Sequence, residues 1–579
     1  MYAQKSDMNS KNQILEVRQP SWKWRMFISA ALAIPWILGC GLFSEYSATA
    51  HNDDWLYARS AQVLSEQGRY QHVSQHGELA ASVVTHVVWG RLFVWGEFSF
   101  EALHRSQAVA GWLTCVGIAF VVLALNGNLQ MALLASGSLA ITPLFYGHTF
   151  TFMTDVTALM LITYAILFFI RSDNLARLGP LLVASVLTAL VFWCRQTHVL
   201  IAVCPLFVLW KRRRNYSWKQ LVIRLGILGG IPALSLVLFE LVGLVPGNQS
   251  RTGTLFIKSF DFVRLKQIAV YLYGTGLLIG MLLLPMSAML VLKWFGKRRL
   301  ELRRRWMVLI GLAWLGVFVA TGGRTYITQS VGYFLHNAHF GPVLFADLPH
   351  ADGSWTYLAE VKWPPAVWQL ISIASILSLA VSTSAALTTL TTERIDQPEQ
   401  CIRDRSLWRW GIFLFGLVIS IALLAVVENI VDRHWMVLFV PAVIWVATCD
   451  VFLVVVRPGR VSAALMWIAG ISMIYISLTF THDWLAFNDQ RRQQMVAWQD
   501  EGLRPQDIDV GTDLNGWLRT TEDYASMQRE GDDTRSWRGL ATHALAHRPR
   551  RGWKVIGTRT WYSWAVEAEQ TLLILKKED

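Results

Sequence analysis

The chain has 579 residues, 54% of them hydrophobic and 16% charged, with a mean hydropathy of +0.37. Soluble domains carry about 25% charged residues, so this composition excludes an ordinary soluble globular protein. Apolar runs of about twenty residues recur, each long enough to cross a hydrocarbon core roughly 30 Å thick as a helix. The net charge of +12 is not a nucleic-acid signal, because the basic residues cluster in short loops: Lys211–Arg214, Lys297–Arg299 with Arg303–Arg305, and Arg457 with Arg460. Cytoplasmic loops of membrane proteins retain Lys and Arg in this way.

In chain order, residues 1–25 form a polar N-terminal segment. The first apolar run follows without a cleavage-type end and reads as a retained helix rather than a removed signal peptide. Thirteen spans are expected, near residues 26–43, 103–125, 129–146, 155–171, 178–194, 197–210, 220–244, 267–292, 306–321, 366–388, 409–428, 435–455 and 461–480. Alternation puts the N-terminus, Lys211–Lys219, Lys293–Arg305, Arg394–Arg409 and Arg457–Arg460 in the cytoplasm. Residues 44–102, 147–154, 245–266, 322–365 and 429–434 and the tail fall outside, and they are poorer in Lys and Arg, as the charge rule requires. Short loops point to a bacterial inner membrane. The expected fold class is thus an α-helical polytopic membrane protein: a transmembrane module at 26–480 and an extracytoplasmic C-terminal domain at 481–579.

The first external loop carries two amphipathic stretches, residues 54–67 and 80–95, that suit helices lying along the interface. A span at 80–95 would put the basic loops outside, so that alternative is rejected. The tail is charged, has Gly and Asp turns, and ends in strand-like runs at Trp553–Trp564 and Gln570–Lys576, which predicts a small α/β unit. Its tryptophans, among them Trp484, Trp498, Trp517 and Trp561, suit core packing and interface anchoring, or sugar stacking. The six cysteines have neither paired spacing nor a CxxC and read as small buried hydrophobes.

Chemistry-bearing residues gather at the outer ends of spans. Asp53 and Asp54 open the helix at 54–67, and Asp155 stands directly before the apolar run from Val156. Any of these is also a natural helix cap. Arg105, Arg195 and Arg433 lie on the same side, where the charge rule makes arginine less expected; guanidinium groups hold phosphate by bidentate bonds. The outer side also carries His51, His72, His76, His86, His148, His198, His336, His339 and His434. Histidine with carboxylate is a divalent-metal donor set, but no HxH or HExxH spacing occurs. P-loop, Rossmann and GxSxG patterns are absent from the sequence.

Together these landmarks resemble the GT-C membrane glycosyltransferases, in particular the family-39-like branch of protein O-mannosyltransferases and aminoarabinose transferases. The likeness rests on the acidic pair after the first span with Tyr57-Ala58-Arg59 and Gly68-Arg69-Tyr70, on Phe100–Arg105 with Ala110-Gly111 following, on Thr154-Asp155, and on Asp432-Arg433-His434 with Pro441 beyond. The resemblance implies a sugar donor on a polyprenyl phosphate and inverting transfer to an extracytoplasmic protein, glycolipid or polysaccharide. It casts Asp53 as general base. Asp155 takes the second acidic position, orienting the acceptor or helping to bind a divalent metal, and Arg105 matches a functionally important arginine. Arg195 and Arg433 are candidates to hold the donor phosphate, and Tyr57, Arg59, His148, His198 and His434 to line the substrate. The usual Asp-Glu pair is Asp-Asp here, and the metal-binding Glu-Lys of part of the family has no counterpart. A transporter or lipid-linked-sugar flippase is the rival class; such proteins place ionisable residues near mid-membrane on broken helices. An alkaline-phosphatase fusion after residue 481 is expected to be active, and an inactive one breaks the thirteen-span topology.

Overall fold

The computed structural model describes residues 21–46, 48–51, 54–70, 83–241, 262–291, 300–320, 364–392, 400–426, 432–449, 459–518, 541–546, 549–565 and 567–578. The chain is a multi-pass membrane protein. Among the described residues, eight helices are long and apolar enough to cross a membrane, and Leu129–Ala140, Leu178–Phe192, Arg305–Ala320 and Arg433–Ala447 are shorter apolar helices. Each of the thirteen expected apolar segments has a helical counterpart. The one at 197–210 is divided between a tight turn at Gln196–Ala202 and the short helix Val203–Arg212.

The first eight helices carry much of the site, and the turn after them, the segment at Asp432–Trp435 and the long helix Arg460–Asp500 complete it. They are α1 (Trp22–Phe43), α2 (Asp54–Gln67), α3 (Val84–Arg91), α4 (Phe100–Asn126), α5 (Leu129–Ala140), α6 (Pro143–His148), α7 (Thr154–Arg171) and α8 (Leu178–Phe192). Local chemistry sets several of their boundaries. Ser99 caps α4 by accepting from the Ala102 N–H at 3.2 Å. Gly127, at φ +69, ends α4 and returns its N–H to Leu123 O; glycine adopts that left-handed conformation without a Cβ penalty. Asn128 then starts α5 by accepting from Met131 N. Pro143 opens α6, where its missing N–H is no loss. Helix α7 packs between α4 and α8 and is buried along most of its length.

Helix Arg460–Asp500 has 41 residues and is about 60 Å long at 1.5 Å per residue. It therefore runs unbroken through position 481, where hydropathy marks the start of the tail, and carries the chain into the C-terminal sheet. There β1 (Ile508–Asp509), β2 (His543–Ala546), β3 (Trp553–Ser563) and β4 (Ala568–Lys577) are ordered β1-β2-β4-β3. Strands β1 and β2 are parallel and the other pairings antiparallel, with a bulge between Val555 and Gly557.

The sheet packs on the segment between α1 and α4. One apolar cluster joins Trp55, Leu56 and Ala58 of α2, Val87 of α3, Leu103 of α4 and Phe152 to Phe487, Trp498, Ile508, Leu545, Trp561 and Leu572. Trp484, Trp498 and Trp561 are buried, so these three are core residues. The short helix Thr512–Leu518 lies on α2, and a Cβ at Gly516 would strike the Trp55 indole. The sheet is latched to the long helix by Asp483, which is buried. It accepts from Ser563 Oγ, from Trp564 N at 2.7 Å and from Ala565 N at 3.3 Å. The ring of His482 stacks on Trp564 at 3.8 Å. Replacing Asp483→Ala strands the buried Ala565 amide and Ser563 hydroxyl and the part-buried Trp564 amide, and is expected to weaken this docking by about 3 kcal/mol. The expected readout is faster tryptic release of the C-terminal unit from detergent-solubilised protein; unchanged protection would mean that apolar packing alone holds the sheet.

Candidate functional site

Asp53, the proposed base, lies outside the described residues. Its neighbour Asp54 opens α2 with its side chain wholly buried. A buried carboxylate needs donors to replace water, and Asp54 has three. Its Oδ1 accepts from the His51 amide at 2.6 Å, and its Oδ2 from His104 Nε2 and the Phe152 amide, both at 3.2 Å. His51 stacks on His104 with ring centres 5.0 Å apart, and Trp484 closes over His51 at 4.7 Å. Burial pushes the Asp54 carboxyl up to about 6, opposed by the hydrogen bond and charge of His104 and by the two amides. Burial holds His51 well below its ordinary value, and so neutral.

Asp155 lies in the first turn of α7 and forms an ion pair with Arg195. Arg433, His148 and His434 also act on it electrostatically, and His198 interacts with both Arg195 and Asp155. The Oδ2 of Asp155 is buried and has no hydrogen-bond partner among the described residues. Arg433 Nη1 rests on the Met153 thioether at 3.5 Å, a weak acceptor. The structure thus brings together Asp155, Arg195, Arg433, His148, His198 and His434, six of the residues singled out in the sequence.

The loop from Thr149 to Met153 joins the two carboxylates. Trp36 of α1 donates to Thr149 Oγ1 at 3.1 Å, the Phe152 amide serves Asp54, and Met153 meets Arg433. His86 fixes the loop from the far side. Its ring stacks on Phe152 at 4.0 Å, and its two nitrogens meet Phe152 O and Thr157 Oγ1. Burial depresses His86 to about 3. Tyr57 packs edge-on against His86.

Two other candidates lie elsewhere. Arg105 is one residue beyond His104, but its side chain is 63% exposed and pairs with Glu101 one turn back. It lines a groove with Cys40, Phe43, Ser44 and Phe150. Arg59 faces the tail: its Nη2 donates to Trp517 O at 2.6 Å and its guanidinium lies 4.2 Å over the Trp517 ring. Sequence reasoning passed over His104 as a partner for Asp54, because a histidine at a span's edge reads the same whether it packs or donates.

Among the described residues, no three His, Cys, Asp or Glu side chains are grouped to hold a metal ion. Two guanidinium groups act on Asp155, an arrangement that suits an anion better than a second cation. No protein-family model matches the chain, and no curated protein matches it. Among solved structures it is similar to the crystal structure of ArnT from Cupriavidus metallidurans bound to undecaprenyl phosphate, with 13% identity, a TM-score of 0.39, and 96% of this chain and 98% of that chain covered. At that level the correspondence carries no functional inference.

The Asp54 environment has a pH signature. Folding raises its value from 3.8 to about 6. Its contribution to stability is therefore fully present below about pH 4 and is lost as pH rises through about 6, a change of roughly 3 kcal/mol. The apparent Tm of Asp54→Asn relative to wild type is expected to rise across that window, as measured in detergent by differential scanning fluorimetry. A difference that stays flat would show that Asp54 does not titrate there.

Proposed function

We propose that the protein is an inverting glycosyltransferase of the GT-C type, moving a sugar from a polyprenyl-phosphate donor to a hydroxyl acceptor outside the cytoplasm. The observation that carries this reading is the meeting of Asp155, with one carboxylate oxygen lacking a hydrogen-bond partner among the described residues, and Arg195 and Arg433 beside a loop tied to Asp54. The acceptor is a protein, glycolipid or polysaccharide hydroxyl, and the membrane is a bacterial inner membrane with the N-terminus cytoplasmic.

Each group has a role. Asp53 takes the acceptor's hydroxyl proton as the oxygen bonds to the anomeric carbon; a placed base contributes about 10²–10⁴-fold. The bond from that carbon to the phosphate oxygen breaks on the opposite face, and both its electrons leave with the polyprenyl phosphate. Arg433 and Arg195 stabilise the departing phosphate, and Arg105 meets the donor at the groove beside α1. Asp155 Oδ2 accepts a hydrogen bond from the acceptor and orients it. His148, His198 and His434 surround that point.

A transporter or flippase reading is less well supported. Such proteins use buried charge along the route through the membrane. Here the buried arginines Arg224, Arg264 and Arg409 donate to backbone carbonyls of Leu175, Leu424 and Thr448, the pattern of helix-end fastening.

The test compares a deletion strain with strains carrying wild type, Asp53→Asn or Asp155→Asn, by envelope-glycan and lipid-linked-sugar analysis. Both variants are expected to insert normally, to reduce transfer about 100-fold or more, and to accumulate unconsumed lipid-linked sugar. A wild-type glycan profile in Asp53→Asn removes Asp53 as the base. A lipid-linked sugar trapped on the cytoplasmic leaflet favours the flippase.

A further inference from the structure

Three donors hold Asp54, and two of them are backbone amides. The third, His104 Nε2, is the one side chain among them. It reaches Asp54 from a membrane span, 50 positions along the chain. His104 is itself held in place: it lies in the start of α4 capped by Ser99, packs against Phe100 with ring centres 6.0 Å apart, and is covered by the His51 ring. It also lines the groove that Arg105 borders. Consecutive residues of α4 therefore face the acid pocket and the groove.

An apolar side chain at this position would pack in the same space. It would leave the buried carboxylate with backbone donors alone, and a buried charge that loses a partner is strongly disfavoured. The carboxylate is part of the first turn of α2, and Asp53 is the residue directly before it.

We propose that His104 is a positioning residue for the transfer reaction, holding the Asp54 carboxylate and with it the start of α2, the helix that directly follows Asp53 in the chain. The inference rests on the glycosyltransferase reading above. His104 does not touch the substrate; it acts through Asp54. The titratable groups facing Asp54 are His104 from α4 and His51 from the preceding segment, with Arg491 of the long helix acting on His51.

The experiment uses purified full-length protein in nanodiscs, supplied with the total polyprenyl-linked sugar extract of the deletion strain and with envelope acceptor from the same strain. His104→Ala is expected to lower kcat about tenfold with little change in KM for the donor, and to move the acid limb of the kcat profile to higher pH, because a hydrogen bond that favours ionised Asp54 is gone. His104→Gln, whose amide N–H can donate to the same oxygen, is expected to fold like wild type and to restore most of the rate. Wild-type kcat and an unmoved acid limb in His104→Ala, with activity lost in Asp53→Asn, would overturn this inference and leave the glycosyltransferase reading standing. Full activity in both variants would overturn the assignment of Asp53 and this inference with it. Equal loss in His104→Ala and His104→Gln with an unmoved acid limb would reduce His104 to a packing residue.

Discussion

A carboxylate out of contact with water constrains everything near it, and Asp54 is such a group. Its donors come from three separate stretches: the segment before α2, the span α4, and the loop at Phe152. None of these can move independently while the carboxylate is charged, because each withdrawn donor leaves a buried anion less satisfied. The loop then passes the constraint to Asp155, three residues beyond Phe152, through Met153 and its contact with Arg433. Two acidic positions just over a hundred residues apart, Asp54 and Asp155, are thereby set relative to each other by a hydrogen bond from one amide.

The buried carboxylates are satisfied in different ways, and the difference matters chemically. Asp54 and Asp483 use neutral amides, a hydroxyl and imidazole. Asp155 uses a guanidinium and keeps one oxygen without a hydrogen-bond partner among the described residues. Amide and hydroxyl donors, which make up most of these two sets, fix geometry without adding positive charge, which suits structural anchoring. A cation with a spare carboxylate oxygen beside it suits a site where an anion and a hydroxyl must both be received. The same logic explains Arg59, whose bonds to the Trp517 carbonyl and ring face clamp the C-terminal unit onto α2; its charge is spent on architecture.

What was legible in the sequence is what depends on local periodicity. Helix α2 spans the residues its amphipathic pattern marks out, and β3 and β4 coincide closely with the strand-like runs of the tail. The grouping of Arg195 with Asp155 was legible only as a shared side of the membrane; the contact crosses 40 positions and comes from the turn after α8 folding back on α7. The tail's boundary at 481 was drawn where hydropathy falls. Helical hydrogen bonds are indifferent to that fall, and the helix continues to Asp500. His104 was the costlier omission. Arg105 attracts notice because an outer arginine defies the charge rule, yet it is His104, unremarkable by composition, that meets the acid.

The continuity of the long helix gives the C-terminal unit a mechanical role beyond packing. Residues Thr481–Asp489 are buried where the helix leaves the bundle, and within this stretch Trp484 touches His51 while Asp483 latches the sheet. Another part of the same unit grips α2 at Trp55 and Arg59. Helix α2 is therefore held at its start by Asp54, through α4 and the Phe152 loop, and along its flank by the C-terminal unit. Held at its start and along its flank by distant parts of the chain, α2 cannot shift without disturbing both the Asp54 carboxylate and the packing of the C-terminal unit, which is the physical consequence of the tail folding back onto the segment between α1 and α4.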